Sequence, residues 1–219
     1  MPDAPSPTLT LALTAIEAAA MIAFALSGLL AAARKRLDAV GVCVVAGLAA
    51  FGGGTLRDGL LDRRPFFWVE HAAWLWGLLG LSVIAMLFMR RRHFDVTERA
   101  MQWPDAVGLG LFTAGGTQVA VQAGMPAIVA VLMGVVTAVF GGVLRDIVCN
   151  EIPSAFSDHR PYAVCSFCGG WVLVGVHAVD APPWAGLLGA VAVATGLRVL
   201  ALASGYTLPA WSTGDSAEH

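Results

Sequence analysis

The stretch Phe51-Gly-Gly-Gly-Thr-Leu-Arg57-Asp58 returns 88 residues later as Val139-Phe-Gly-Gly-Val-Leu-Arg145-Asp146. Extended outward without a gap, the alignment places Glu17 on Asp105, Phe24 on Phe112 and Gly28 on Gly116. Downstream, Pro65 falls on Pro153, Glu70 on Asp158 and His71 on His159. From residue 17 to 71, 13 of 55 positions are identical. Small apolar pairs coincide by chance in a chain rich in Ala, Gly and Val; an aligned Arg-Asp, proline, histidine and acid do not. The chain carries an internal duplication.

Composition says in what medium that duplication folds. Of 219 residues, 58% are apolar and 13% charged, and the mean hydropathy is +0.74. A water-soluble domain carries roughly 25% charged residues, so this chain lacks the charge for an ordinary solvated surface and reads as a membrane protein. Hydrophobic runs matched to the ~20 residues a helix needs to cross a bilayer predict spans at about 10–33, 38–62, 67–89, 104–122, 126–149, 160–179 and 183–204. Residues 1–219 then form a single transmembrane domain: repeat one at about 10–89, repeat two at about 104–179 and a seventh helix at about 183–204. The flank Met1-Pro-Asp-Ala-Pro-Ser-Pro-Thr8 has no positive charge and the first run is too long for a secretory leader, so this helix is expected to persist in the mature protein.

Each repeat has three helices, an odd number, so the second copy must enter the membrane from the opposite side. The predicted fold is all-α: seven transmembrane helices as two inverted three-helix repeats plus an unpaired seventh. Such inverted repeats put a binding or permeation site near the bilayer midplane, at their interface. Orientation follows the positive-inside rule. Arg34, Lys35, Arg36, Arg90, Arg91, Arg92, Arg99 and Arg160 fall on one side, against Arg63 and Arg64 on the other. The N-terminus is expected outside and the C-terminus in the cytoplasm, in the inner membrane. A net charge of −2 without a long basic tract excludes a nucleic-acid partner.

Three arginines, Arg57, Arg145 and Arg198, are left within predicted spans. A central Arg or Asp costs about 2.5–3.5 kcal/mol on insertion scales, so these groups must face protein or water. Neighbours on a helix project about 100° apart, so Arg57 and Asp58 are expected to satisfy each other poorly. Each Arg then needs a carboxylate from elsewhere, and the deep candidates are Glu17, Asp105, Asp58 and Asp146. A buried lattice that locks the repeats together is one reading; intramembrane ionisable groups also mark ion pathways.

The glycines favour the pathway. Gly52, Gly53 and Gly54 lie along the second helix, and Gly141 and Gly142 match them in the fifth. A glycine in a helix interior costs about 1 kcal/mol relative to Ala, so both helices are expected to break there, freeing carbonyls to replace part of a cation's water shell. Close helix packing is the alternative use of small residues in lipid.

These motifs resemble a known family. The GGGxxRD element at Gly52–Asp58, its copy GGVLRD at Gly141–Asp146 followed by Ile152-Pro153, and a last helix reading Leu197-Arg-Val-Leu-Ala-Leu with Leu208-Pro-Ala-Trp211 beyond it resemble the bacterial branch of the trimeric intracellular cation (TRIC) channels. The resemblance implies a homotrimer, each subunit with its own pore conducting monovalent cations, mainly potassium, between the second and fifth helices. The constriction would lie near Gly52, Gly53, Gly54, Gly141 and Gly142, flanked by Arg57, Asp58, Arg145 and Asp146, with Glu17, Asp105 and Arg198 as a supporting charge network. Animal members carry a lysine motif in the second helix and bind phosphoinositide; here that stretch is Gly-Gly-Gly. The bacterial branch is also associated with glycine export, so a carrier for glycine or a similar small amino acid is the second expectation, its carboxylate received at a half-helix N-terminus.

Other features carry less. Cys165-x-x-Cys168 lacks a second pair or a nearby His cluster, so no metal, redox centre or cofactor is expected. The tryptophans, including Trp68, Trp74, Trp76 and Trp211, read as interfacial anchors. His71 and His159 suit polar residues at the mouths of the spans, or gating by protonation. The stretch 90–99 is a basic linker suited to anionic membrane lipid. No nucleophile elbow, phosphate loop or metal-ligand spacing is present, so no enzyme is expected.

Overall fold

A computed structural model describes residues 7–91 and 98–209. Among these, seven long helices and two single-turn helices follow one another with no strand: α1 Pro7–Arg34, α2 Ala39–Leu60, α3 Phe67–Glu70, α4 Ala73–Arg91, α5 Glu98–Gln122, α6 Ala127–Val148, α7 Ser154–Ser157, α8 Ala163–Ala178 and α9 Pro183–Ser204. The order α1–α4 repeats as α5–α8, and α9 stands alone. By length and hydropathy α1, α2, α6 and α9 can cross a membrane, while α4 and α8 are apolar and shorter. The side chains of 89–99, and Trp211, lie outside the described residues.

Local chemistry sets the boundaries. Asp38 caps α2, its Oδ1 accepting from Gly41 N at 2.7 Å, which satisfies a donor the first helical turn leaves open. At the other end, Asp62 and its counterpart Asn150 take left-handed φ values of 49° and 54°. There Arg63 N donates to Asp58 O and Glu151 N to Asp146 O, each closing a helix C-terminus in the same way. The run expected as one span over 67–89 is divided: α3 is a separate turn because Asp58 Oδ2 accepts from Phe67 N at 2.8 Å and anchors it below α4.

The expected breaks at the glycines are not there. α2 and α6 are each one uninterrupted helix through Gly52–Gly54 and Gly141–Gly142. The glycines serve close approach instead. A Cβ on Gly53 would collide with the Thr137 carbonyl, and one on Gly141 with the Ala49 carbonyl. On Gly54 it would strike the Phe67 ring, and on Gly52 it would lie 2.6 Å from Leu144 Cδ1. Bare backbone lets the two helices cross where side chains would hold them apart. Ascending α2 from Ala49 to Gly53 descends α6 from Gly141 to Thr137, so the two equivalent helices run antiparallel. Under the 88-residue shift, each contact is the image of the other. Phe24 of α1 and Phe112 of α5, also equivalent, stack with centroids 5.4 Å apart.

Candidate functional site

The Arg-Asp element ends α2 and α6, and each copy builds a cluster of the same plan. Arg57 is fully buried and donates from Nη1 to Glu17 Oε1 on α1 at 2.8 Å. Its Nε donates to Asp58 Oδ1 at 2.9 Å, and Nη2 lies 2.8 Å from the same oxygen without hydrogen-bond alignment. The adjacent pair therefore does satisfy itself, against expectation, because the long Arg side chain folds back around the helix end onto Asp58. The guanidinium also sits 5.4 Å from the Phe67 ring centroid.

In the second cluster Arg145, 1% exposed, donates from Nη1 to Asp105 Oδ1 at 2.6 Å and from Nε to Asp146 Oδ1 at 2.8 Å. The same Nη1 donates to Ser27 of α1, which ties the second repeat to the first. Asp146 Oδ2 accepts from Ser154 N at 2.9 Å and Oγ at 3.0 Å, anchoring α7 as Asp58 anchors α3. Tyr162 Oη donates to Asp105 Oδ2 at 2.7 Å. Charge-assisted bonds of this kind are short and strong, and a buried arginine stripped of its carboxylate is costly.

Arg198 joins neither pair of carboxylates. Its Nη1 donates to Pro161 O at 3.0 Å, Nη2 lies 3.5 Å from Asp158 Oδ2, and the guanidinium rests 4.7 Å over the Tyr162 ring. Glu17, Asp105, Arg57, Asp58, Arg145 and Asp146 come together as the repeat implies, while Gly52, Gly53, Gly54, Gly141 and Gly142 line the α2–α6 crossing and its flanks. Ser27, Tyr162, Ser154 and Phe67 escaped the sequence reading. Ser27 falls on Gly115 and Tyr162 on Trp74 under the repeat, so the duplication gave no signal for them. Trp68 and Trp74, expected as interfacial anchors, turn inward: Trp68 Nε1 donates to Thr55 Oγ1 at 3.0 Å and Trp74 stacks on His71.

A polar cavity of about 150 Å³ adjoins the first cluster, lined by Thr14, Glu17, Arg63, Glu70, His71 and Gln122 among others. A larger cavity of about 540 Å³ borders Phe51, Gly52, Leu56, Trp68 and Leu144. Its walls are nearly all carbon, which suits lipid better than ions.

An all-helical, multi-pass membrane protein made of two copies of one unit, with a buried charge cluster in each, is the class these features define. A family model described as Glycine transporter matches the chain twice, at residues 14–90 and 102–178, the two matches themselves 88 residues apart. The chain belongs to that family and to the bacterial branch of the TRIC family. It is similar to the TRIC channel orthologue from Rhodobacter sphaeroides, with 34% identity and a TM-score of 0.82 over 91% of this chain and 100% of that one. A prokaryotic TRIC channel solved in 0.5 M KCl gives 26% identity and a TM-score of 0.83 over 91% of this chain and 100% of that chain. Among curated proteins, the UPF0126 inner membrane protein YadS of Escherichia coli K12 is 37% identical over 153 residues, covering 68% of this chain and 71% of YadS. A UPF0126 membrane protein of Vibrio cholerae is 36% identical over 151 residues, 67% of this chain and 61% of the relative, so the match spans less than two thirds of that protein.

Proposed function

We propose that this chain is a cation channel of the inner membrane, N-terminus outside, with an ion pathway inside each subunit of a homotrimer and monovalent cations, mainly potassium, as its cargo. The observation that carries the reading is the likeness to TRIC channels over nine tenths of the chain, at up to 34% identity. The charge clusters support it, since two carboxylate sets stand at equivalent places in the two repeats, on either side of the α2–α6 crossing.

In the proposed mechanism a cation enters the polar cavity at Glu70 and His71 and reaches Glu17. Arg57 there occupies the carboxylate a cation would use, and Arg145 does the same at Asp105. Conduction then requires each guanidinium to release its more distant acid while keeping its bond to Asp58 or Asp146, leaving Glu17 and Asp105 free to replace water around the ion. The glycines Gly52, Gly53, Gly54, Gly141 and Gly142 let α2 and α6 slide at the narrow point between the two acids.

Flux tests this. Purified protein in potassium-loaded liposomes should dissipate a potassium gradient electrogenically, and Glu17→Gln with Asp105→Asn should reduce the current while the protein stays folded. Folded wild-type protein without flux would end the channel reading. The second reading, a carrier for glycine or a similar small amino acid, is favoured by the description of the matching family model. Uptake that saturates at low concentration and is competed by the amino acid would select it over a pore.

A further inference from the structure

The two mouths of the duplicated unit are built differently, and α9 makes the difference. Beside the first cluster lies the polar cavity, with Arg63, Glu70 and His71 on its wall. The equivalent positions in the second repeat are Asp158 and His159, and there α9 brings in Arg198, 2% exposed. Trp74 of the first mouth corresponds to Tyr162 of the second. The Trp74 ring is covered by His71, centroids 4.4 Å apart and nearly parallel; the Tyr162 ring is covered instead by the Arg198 guanidinium at 4.7 Å. Over the equivalent ring a permanent positive charge thus stands at one mouth and an imidazole at the other, while Arg63 lies in the wall of the first mouth.

Resting on the channel reading, we infer that Arg198 is the residue that seals the second mouth and limits cation passage there. Two observations and one electrostatic principle carry this. Arg198 stands next to the second acid cluster, since the ring beneath it belongs to Tyr162, which donates to Asp105. A fixed cation beside that route raises the barrier to a second cation. Among the described residues Arg198 is also the least held of the three buried arginines: Arg57 and Arg145 donate aligned bonds to two carboxylates each, whereas Arg198 donates one, to a carbonyl. Its Nε and Asp158 Oδ2 are buried without a hydrogen-bond partner. Leaving such groups unsatisfied is unfavourable, so departure of this side chain towards water costs less than departure of the other two. Asp158 and the Pro161 carbonyl position it over the mouth.

Cys165 reports on the seal without any need for current. Its thiol is buried and donates at 3.3 Å to the Pro161 carbonyl that also accepts from the Arg198 guanidinium. In protein retaining Cys165 alone, with Cys43, Cys149 and Cys168 changed to Ala, Arg198→Gln should speed labelling by a membrane-impermeant methanethiosulfonate about tenfold, as exposure governs thiol reactivity. Asp158→Asn, which loosens the arginine and keeps it, should speed labelling in the same direction by a smaller factor. In liposomes, Arg198→Gln should raise potassium flux several-fold and reduce the difference between inward and outward current, with Arg198→Lys nearer the parent. Unchanged labelling in folded Arg198→Gln would overturn the inference. Should that variant not fold, unchanged labelling in Asp158→Asn would do so. A parent protein that passes no current would remove the channel reading, and the labelling would still decide whether Arg198 closes the mouth.

Discussion

Phe24 stacks on Phe112, its own counterpart 88 residues later, at 5.4 Å and 21° between ring planes. Two equivalent residues can touch each other only beside a symmetry axis. The Gly53–Thr137 and Gly141–Ala49 contacts, images of one another, mark the same axis through α2 and α6. Both rings are fully buried, so Phe24→Ala and Phe112→Ala should each destabilise the protein by about 3–5 kcal/mol and by similar amounts. Thermal unfolding in detergent measures both; strongly unequal losses would contradict a shared axis.

Gly53→Ala and Gly141→Ala should lower stability by about 1–3 kcal/mol or more, because the added methyl meets rigid backbone rather than a movable side chain. Gly59→Ala in the same helix is the control. Nothing lies within 4 Å of its Cβ position, so alanine there should be neutral or stabilising by up to about 1 kcal/mol. The melting temperatures of the three variants separate a packing role from a general intolerance of change.

Glu17→Leu or Arg57→Met alone should cost about 3–5 kcal/mol, since each strands a buried charge. The double variant should recover only the part of that loss due to the stranded Glu17 carboxylate, because Asp58 stays buried without its guanidinium partner. A double-mutant cycle on unfolding reads the coupling directly, and simple additivity would show that the two do not act as a pair.

Tyr162→Phe removes one hydroxyl and leaves Asp105 Oδ2 without its 2.7 Å donor. A hydrogen bond to a charged group is worth about 1.5–3 kcal/mol, so a loss in that range is expected. Trp74→Phe at the equivalent place should cost less of this kind, because Trp74 contributes a stacked ring to His71 rather than a bond to Glu17. Unfolding of the two variants side by side tests the contrast.

The duplication, the helix positions and the deep charges were legible because each leaves a pattern along the chain: a constant offset, apolar runs of span length, and ionisable residues where lipid forbids them. That the deep arginines find carboxylates among Glu17, Asp105, Asp58 and Asp146 follows from scarcity of partners; which acid each takes is visible only in the structure. The glycine runs do not break their helices. A backbone with no side chain fits both a broken helix and a tight crossing, and only the position of Thr137 and Ala49 against those glycines decides for the crossing. Helical geometry sets Arg57 and Asp58 apart in mid-helix, but in the last turn the long arginine side chain can wrap back onto its neighbour. Tyr162 and Ser27 left no trace because the other repeat holds unlike residues at both places.

The first charge cluster is complete within its own repeat: Glu17 from α1, Arg57 and Asp58 from α2, and the Phe67 amide from α3. A nascent chain emerging from the ribosome can therefore neutralise its first deep arginine before α5 has been synthesised. Translocation machinery would then receive the second half as a unit that compensates its own deep charge in the same manner, and the two halves meet through apolar faces, the Ser27 hydroxyl and the peripheral ion pair of Lys35 with Glu151.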